Sequence, residues 1–208
     1  MKKRILILAP HTDDGELGCG GTIARYIEQT PDIFYLAAST CRRSLPEGLP
    51  PDTLEKEVKQ ATKALGINEQ NVILLDHDVR RFNETRQQLL EDLVRLRKDI
   101  RPDMVFVPSS TDIHQDHQVM TKEAMRAYKD SSIWGYEMPW NNASFRTQAF
   151  VKLEKDHLET KVRALKCYQS QQHRSYMNES FVFALASVRG VQAGAQYAEA
   201  FEVIKWVE

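Results

Sequence analysis

Cysteine is scarce: Cys19, Cys41 and Cys167 are the only three in 208 residues, odd in number and far apart. That excludes a disulfide framework and fits reduced thiols, so the expected location is the cytoplasm. No apolar run approaches the roughly 20 residues of a membrane span. The opening Met-Lys-Lys-Arg has the charge of a secretory leader. The apolar stretch behind it, Ile5 to Ala9, is too short for one and ends in Pro10-His11. Neither charge dominates: 28 Lys and Arg oppose 29 Asp and Glu, so nothing recommends a nucleic-acid partner. Internal repeats, low-complexity segments and linkers rich in Gly, Pro or Ser are also missing, and one domain over residues 1–208 is expected.

Short apolar runs alternate with longer segments of helical period. Lys3 to Ala9, Ile33 to Ser39, Asn71 to Leu75 and Met104 to Pro108 read as buried strands, their apolar residues being nearly continuous. Gly21 to Gln29, Pro50 to Leu65, Asn83 to Lys98 and Gln115 to Lys129 read as helices; Leu54, Val58, Ala61 and Leu65 share one face of the second. Beyond residue 130 the pattern suggests a strand over Phe145 to Leu153, a helix over His157 to Gln171 and a strand over Phe181 to Arg189. Alternation of this kind predicts βαβ units: an α/β fold, a Rossmann-like three-layer sandwich with a mostly parallel sheet.

Two loops at strand ends carry the chemistry. Pro10-His11-Thr12-Asp13-Asp14-Gly15-Glu16 follows the first strand and Thr111-Asp112-Ile113-His114-Gln115-Asp116-His117 follows the fourth. In an open parallel sheet such loops share the ligand-binding rim. A catalytic zinc site takes three nitrogen or oxygen ligands and keeps one position open, with a free carboxylate nearby as base. His11, one of Asp13 and Asp14, and one of His114 and His117 would complete the shell, leaving an aspartate and a histidine for proton transfer and oxyanion stabilisation. The same donor set also accepts iron(II). Gly18-x-Gly20-Gly21 lacks the G-x-G-x-x-G spacing of a dinucleotide site and reads as close packing of helix on sheet.

The two loops resemble the signatures of the PIG-L/LmbE family of zinc-dependent N-deacetylases: His11-Thr12-Asp13-Asp14 its H-P-D-D segment, and His114-Gln115-Asp116-His117 its H-x-D-H segment. Gly18 to Ala24, Pro102 to Phe106, Lys161 to Gln171 and Tyr197 to Phe201 are similar to further family segments. The sequence departs from the pattern at Thr12, at the inserted Gly15, and in lacking the arginine near the start of the second helix. The resemblance implies that His11, Asp14 and His117 bind Zn2+, that Asp13 is the general base, and that His114, in its protonated form, stabilises the oxyanion or protonates the leaving amine. It makes Glu16 and Asp116 outer residues that orient the ligands, and it is compatible with homo-oligomers.

The implied activity is removal of an acetyl group from a small-molecule N-acetylated sugar or sugar conjugate. Arg42, Arg43, Arg80 and Arg81 are candidates to hold a phosphate or sugar acid. Trp134, Tyr136, Trp140, Asn141 and Asn142 are candidates to line a sugar site. Two other classes share these residues: a metal-dependent phosphoesterase, which would bind two ions where a deacetylase binds one, and a non-catalytic sugar-binding relative, which would need neither Asp13 nor His114.

Overall fold

A computed structural model describes residues 3–29 and 32–208. Seven strands form one sheet: β1 (Ile5–Ala9), β2 (Ile33–Ala37), β3 (Val72–Leu74), β4 (Met104–Pro108), β5 (Ser132–Tyr136), β6 (Ala149–Leu153) and β7 (Tyr197–Lys205). Their spatial order is β3-β2-β1-β4-β5-β7-β6. The pairs from β3 to β5 are parallel, whereas β7 runs antiparallel to both β5 and β6. The helices are α1 (Asp14–Ile27), α2 (Thr53–Ala64), α3 (Arg86–Ile100), α4 (Gln115–Ala127), α5 (Lys155–Leu165) and α6 (Glu179–Ala193).

The apolar strands feed two cores. Ile5, Ile7 and Ala9 of β1 face one way and pack with Ile23 of α1, Val58 of α2, Leu158 of α5 and Val182 of α6. Leu6 and Leu8 face the other way and pack with Leu93 of α3 and Met120 of α4. This two-sided burial is why the strand sequences are apolar without alternation. Tyr136 ties β5 across the sheet, its hydroxyl donating to the Leu8 carbonyl at 3.0 Å.

Phe181 to Arg189, expected as a strand, lies inside α6. A continuous apolar run of that length does not distinguish the two states. The deciding signal is the cap: the Asn178 side chain accepts the Phe181 N–H at 2.8 Å. β5 and β7 went unforeseen. Trp134 and Tyr136 belong to β5 and are buried, Tyr136 fully, so they are core residues and no part of a sugar site. α1 also begins seven residues before the expected Gly21, at Asp14, directly on the His-Asp-Asp loop.

Phe106 on β4 is fully buried against Trp134 and Phe201. Phe106→Ala is expected to lower the unfolding free energy by about 3–5 kcal/mol in urea titration. Val191→Ala on the exposed face of α6, at 82% exposure, should stay within about 0.5 kcal/mol of the parent.

Candidate metal centre

β1 pairs with β4 in parallel register, Ile5 opposite Met104 and Ile7 opposite Phe106, so both strands end on the same rim. The chain leaves β1 through Pro10 to Asp13 into α1, whose first residue is Asp14. It leaves β4 through a turn in which Asp112 Oδ1 accepts the His114 N–H at 2.8 Å. His114 then caps α4, its Nδ1 accepting the Asp116 N–H at 3.2 Å, and His117 falls on the first turn of that helix. A neutral His114 held this way carries its ring proton on Nε2.

Three donor atoms meet between the loops. Asp14 Oδ2 lies 3.0 Å from His11 Nδ1 and 3.2 Å from His117 Nε2. The two nitrogens are 3.3 Å apart. Ligand bonds of about 2.0–2.1 Å around a tetrahedral ion separate neighbouring donors by roughly 3.3 Å, so this triangle fits such an ion. The imidazoles of His11, His114 and His117 form a looser set, with donor atoms within 4.8 Å of one another. The tighter set, with Asp14 in place of His114, matches the coordination distance better.

Outer contacts fix the two rings. His11 Nε2 is 3.0 Å from Asp116 Oδ2, and His117 Nδ1 is 2.7 Å from Asp112 Oδ2. A ligating histidine that donates its second nitrogen to a carboxylate is locked in tautomer and orientation. Asp116 is itself held by the backbone N–H groups of Arg80 and Phe82. Glu16 plays a different part from the expected one. Its carboxyl meets the hydroxyls of Tyr35 and Tyr168, which also reach the Thr12 carbonyl, and among the described residues it bonds to none of His11, Asp14 and His117. Glu16 therefore buttresses the loop backbone, and burial, only partly offset by the two hydroxyls, pushes its pKa up to about 8.

Burial disfavours the His11 and His117 imidazolium forms, but the Asp14 charge and carboxylate hydrogen bonds outweigh it, raising them to about 9 and about 10. Burial would raise Asp14, yet the two cationic rings hold it well below the usual carboxylate range. Asp13 is pushed up to about 6 by burial and by the adjacent Asp14 charge, against the pull of His11 and Arg174. Burial and the repulsion of His117 and His11 bring His114 down to about 4.

An open cavity of about 210 Å³ exposes these groups. Asp13, His114, Arg80, Trp140 and Asn141 line it, and so do Gln171, Arg174 and Tyr176. Arg42 and Arg81 do not: Arg42 turns to Asp76 at 3.5 Å and Arg81 to Glu84 at 2.6 Å, each neutralised at the surface. Trp140 stacks flat on Tyr176, centroids 3.9 Å apart, at the cavity edge. Sequence reasoning missed Asp112, whose signal was its place two residues before His114 in the same loop. It also missed Arg174, which only the fold brings round to Asp13.

The family described as PIG-L, GlcNAc-PI de-N-acetylase, matches residues 6–128. The chain is 31% identical over 176 residues to the uncharacterized deacetylase YaiS of Escherichia coli, covering 81% of this chain and 92% of that protein. It is 24% identical to the diacetylchitobiose deacetylase of Thermococcus kodakarensis, covering 97% and 83%. The crystal structure of the conserved protein TT1542 from Thermus thermophilus superposes with a TM-score of 0.79 at 28% identity, over 99% of this chain and 96% of that one.

A cation bound at His11 and His117 would have to displace protons that the neighbouring carboxylates hold there, the imidazolium forms being raised to about 9 and about 10. Divalent-cation affinity is therefore expected to rise steadily from pH 6 to pH 9, with net proton release on binding. Competition against a chromophoric chelator across that range checks it. Affinity independent of pH would contradict the charge assignment.

Proposed function

The chain belongs to the PIG-L family of de-N-acetylases, and from that premise we propose that it hydrolyses the acetamido group of an N-acetylated amino sugar or conjugate. It would do so with one zinc ion held by His11, Asp14 and His117. The observation that carries this reading is the triangle of donors, 3.0, 3.2 and 3.3 Å on its sides, with the Asp13 carboxyl left free beside it. Two nitrogens and one carboxylate oxygen suit Zn2+, and Fe2+ is accepted by the same set. One compact ligand set argues for a single ion, against the two-ion centre of a phosphoesterase.

When bound, the ion polarises the amide carbonyl and acidifies water beside it. The remaining work falls to side chains. Asp13, left out of the ligand set, accepts the proton of the water whose oxygen bonds to the carbonyl carbon. The His114 Nε2–H, fixed by the Nδ1 contact with the Asp116 N–H, donates to the carbonyl oxygen as that oxygen gains charge. The proton on Asp13 then passes to the nitrogen as the C–N bond breaks, giving acetate and a free amine. Trp140 offers an apolar ring edge and Asn141 an amide to a sugar, while Arg80 and Arg174 bring positive charge to the rim.

Asp13→Asn should lower kcat by about 10²–10⁴ while zinc content stays at one per chain, read by acetate release from a panel of N-acetylglucosamine conjugates and by metal analysis. Undiminished turnover would remove Asp13 as base. Parent enzyme that binds zinc yet releases no acetate from any N-acetylated sugar would turn the reading toward a non-catalytic sugar-binding role.

A further inference from the structure

α1 is two helical pieces joined at Cys19, whose φ of −146° and ψ of 24° break the backbone ladder. In an unbroken helix the Gly21 N–H would donate to the Leu17 carbonyl. Here a buried ion pair occupies that rung. Gly21 donates to Glu199 Oε1 at 3.0 Å, Lys161 Nζ contacts the same oxygen at 2.7 Å, and Lys161 Nζ also donates to the Leu17 carbonyl at 2.7 Å. The next rung is taken as well, Thr22 N–H donating to Glu199 Oε2 at 2.7 Å. Both charged side chains are only 7% exposed.

The glycine run explains how the pair gets in. A Cβ on Gly20 would sit 2.9 Å from Lys161 Cγ, and one on Gly21 would sit 3.1 Å from Glu199 Oε1 and 2.6 Å from Leu153 Cδ1. Gly18 is closed in the same way, by the Tyr136 ring. The turn before the break leads straight to the site: the Leu17 N–H donates to the Asp13 carbonyl at 3.0 Å. A hydrogen-bonded path thus runs from Glu199 through Lys161 and Leu17 to Asp13 and its neighbour Asp14.

We propose that the Lys161–Glu199 pair is a positioning element of the metal centre, setting the angle of the first turn of α1 and with it the distance of Asp14 Oδ2 from the two imidazoles. The pair touches neither cation nor substrate and acts through the helix it splits. This role rests on the metal reading given above. A buried pair kept only for stability would leave ligand geometry unchanged when altered. A positioning pair would not, and an outer residue of that kind is worth about 10–100-fold in metal affinity or activity.

Cobalt(II) is the probe, because its visible absorption reports coordination geometry independently of turnover. Full-length parent, Lys161→Met, Glu199→Gln and Lys161→Arg are titrated with Co2+, and kcat and KM are measured on the same samples. The expected result is a shifted visible band, about 10–100-fold weaker Co2+ binding and lower kcat at unchanged KM in Lys161→Met and Glu199→Gln. Lys161→Arg, which keeps a cation able to meet Glu199 and Leu17, restores the parental band. Should the neutral variants fail to fold, Glu199→Asp keeps the charge but falls one methylene short of its partners, and it must show the same shift. Parental spectrum and affinity in a folded variant, with only a lower melting temperature, would overturn the positioning role. A parent with no cobalt spectrum would overturn the metal reading and this role with it.

Discussion

Because β1 lies between β2 and β4 with all three parallel, the chain leaves β1 and β4 at one rim but toward opposite faces of the sheet. Residues of α1 join the core on one side and those of α4 join the core on the other. The two connections must therefore part, and the crevice they leave is where open α/β sheets bind ligands. Everything in the candidate site hangs on that parting. His11 and Asp14 enter from one wall, His114 and His117 from the other, and without the β1–β4 pairing no donor triangle exists.

Such a crevice is electrostatically unstable when it holds only side chains. Asp14, Asp112 and Asp116 bring three carboxylates against two imidazoles, and these carboxylates raise the imidazolium forms of both rings. On the proposed reading, a divalent ion would replace those protons with one fixed charge, and it, rather than the rings, would then set the charge felt by Asp13. Burial serves this exchange: screened by little water, Asp112 and Asp116 would hold the ligating rings in one tautomer, while Asp13 and Asp14 both face the cavity.

Much of this was readable in the chain. β1 and β4 announce themselves because strands buried on both faces must be apolar throughout, and a loop holding His11, Asp13 and Asp14 after such a strand has few structural excuses. In the final third the strand expected over Phe145 to Leu153 and the helix expected over His157 to Gln171 stand as β6 and α5, whereas β7 and α6 were opaque for physical reasons. β7 carries Glu199 and Glu202 inside a sheet, where buried carboxylates disguise a strand as surface. Phe181 to Arg189 is apolar on every side, so its period was uninformative. Lys161 and Glu199 stand 38 residues apart in sequence and look like solvated charges until the fold closes them over a broken helix. Arg42 and Arg81 lie away from the cavity: Arg81 pairs with Glu84, three residues on and visible in the sequence, whereas Arg42 meets Asp76 only once the chain folds.

The central claim is spatial, and anomalous X-ray scattering at the zinc absorption edge from crystals grown with Zn2+ tests it directly. One anomalous peak per chain, within bonding distance of His11 Nδ1, Asp14 Oδ2 and His117 Nε2 and clear of Asp13, is the expected result. No peak between these atoms at full zinc loading, or two peaks bridged by Asp13 and Asp14, would contradict it.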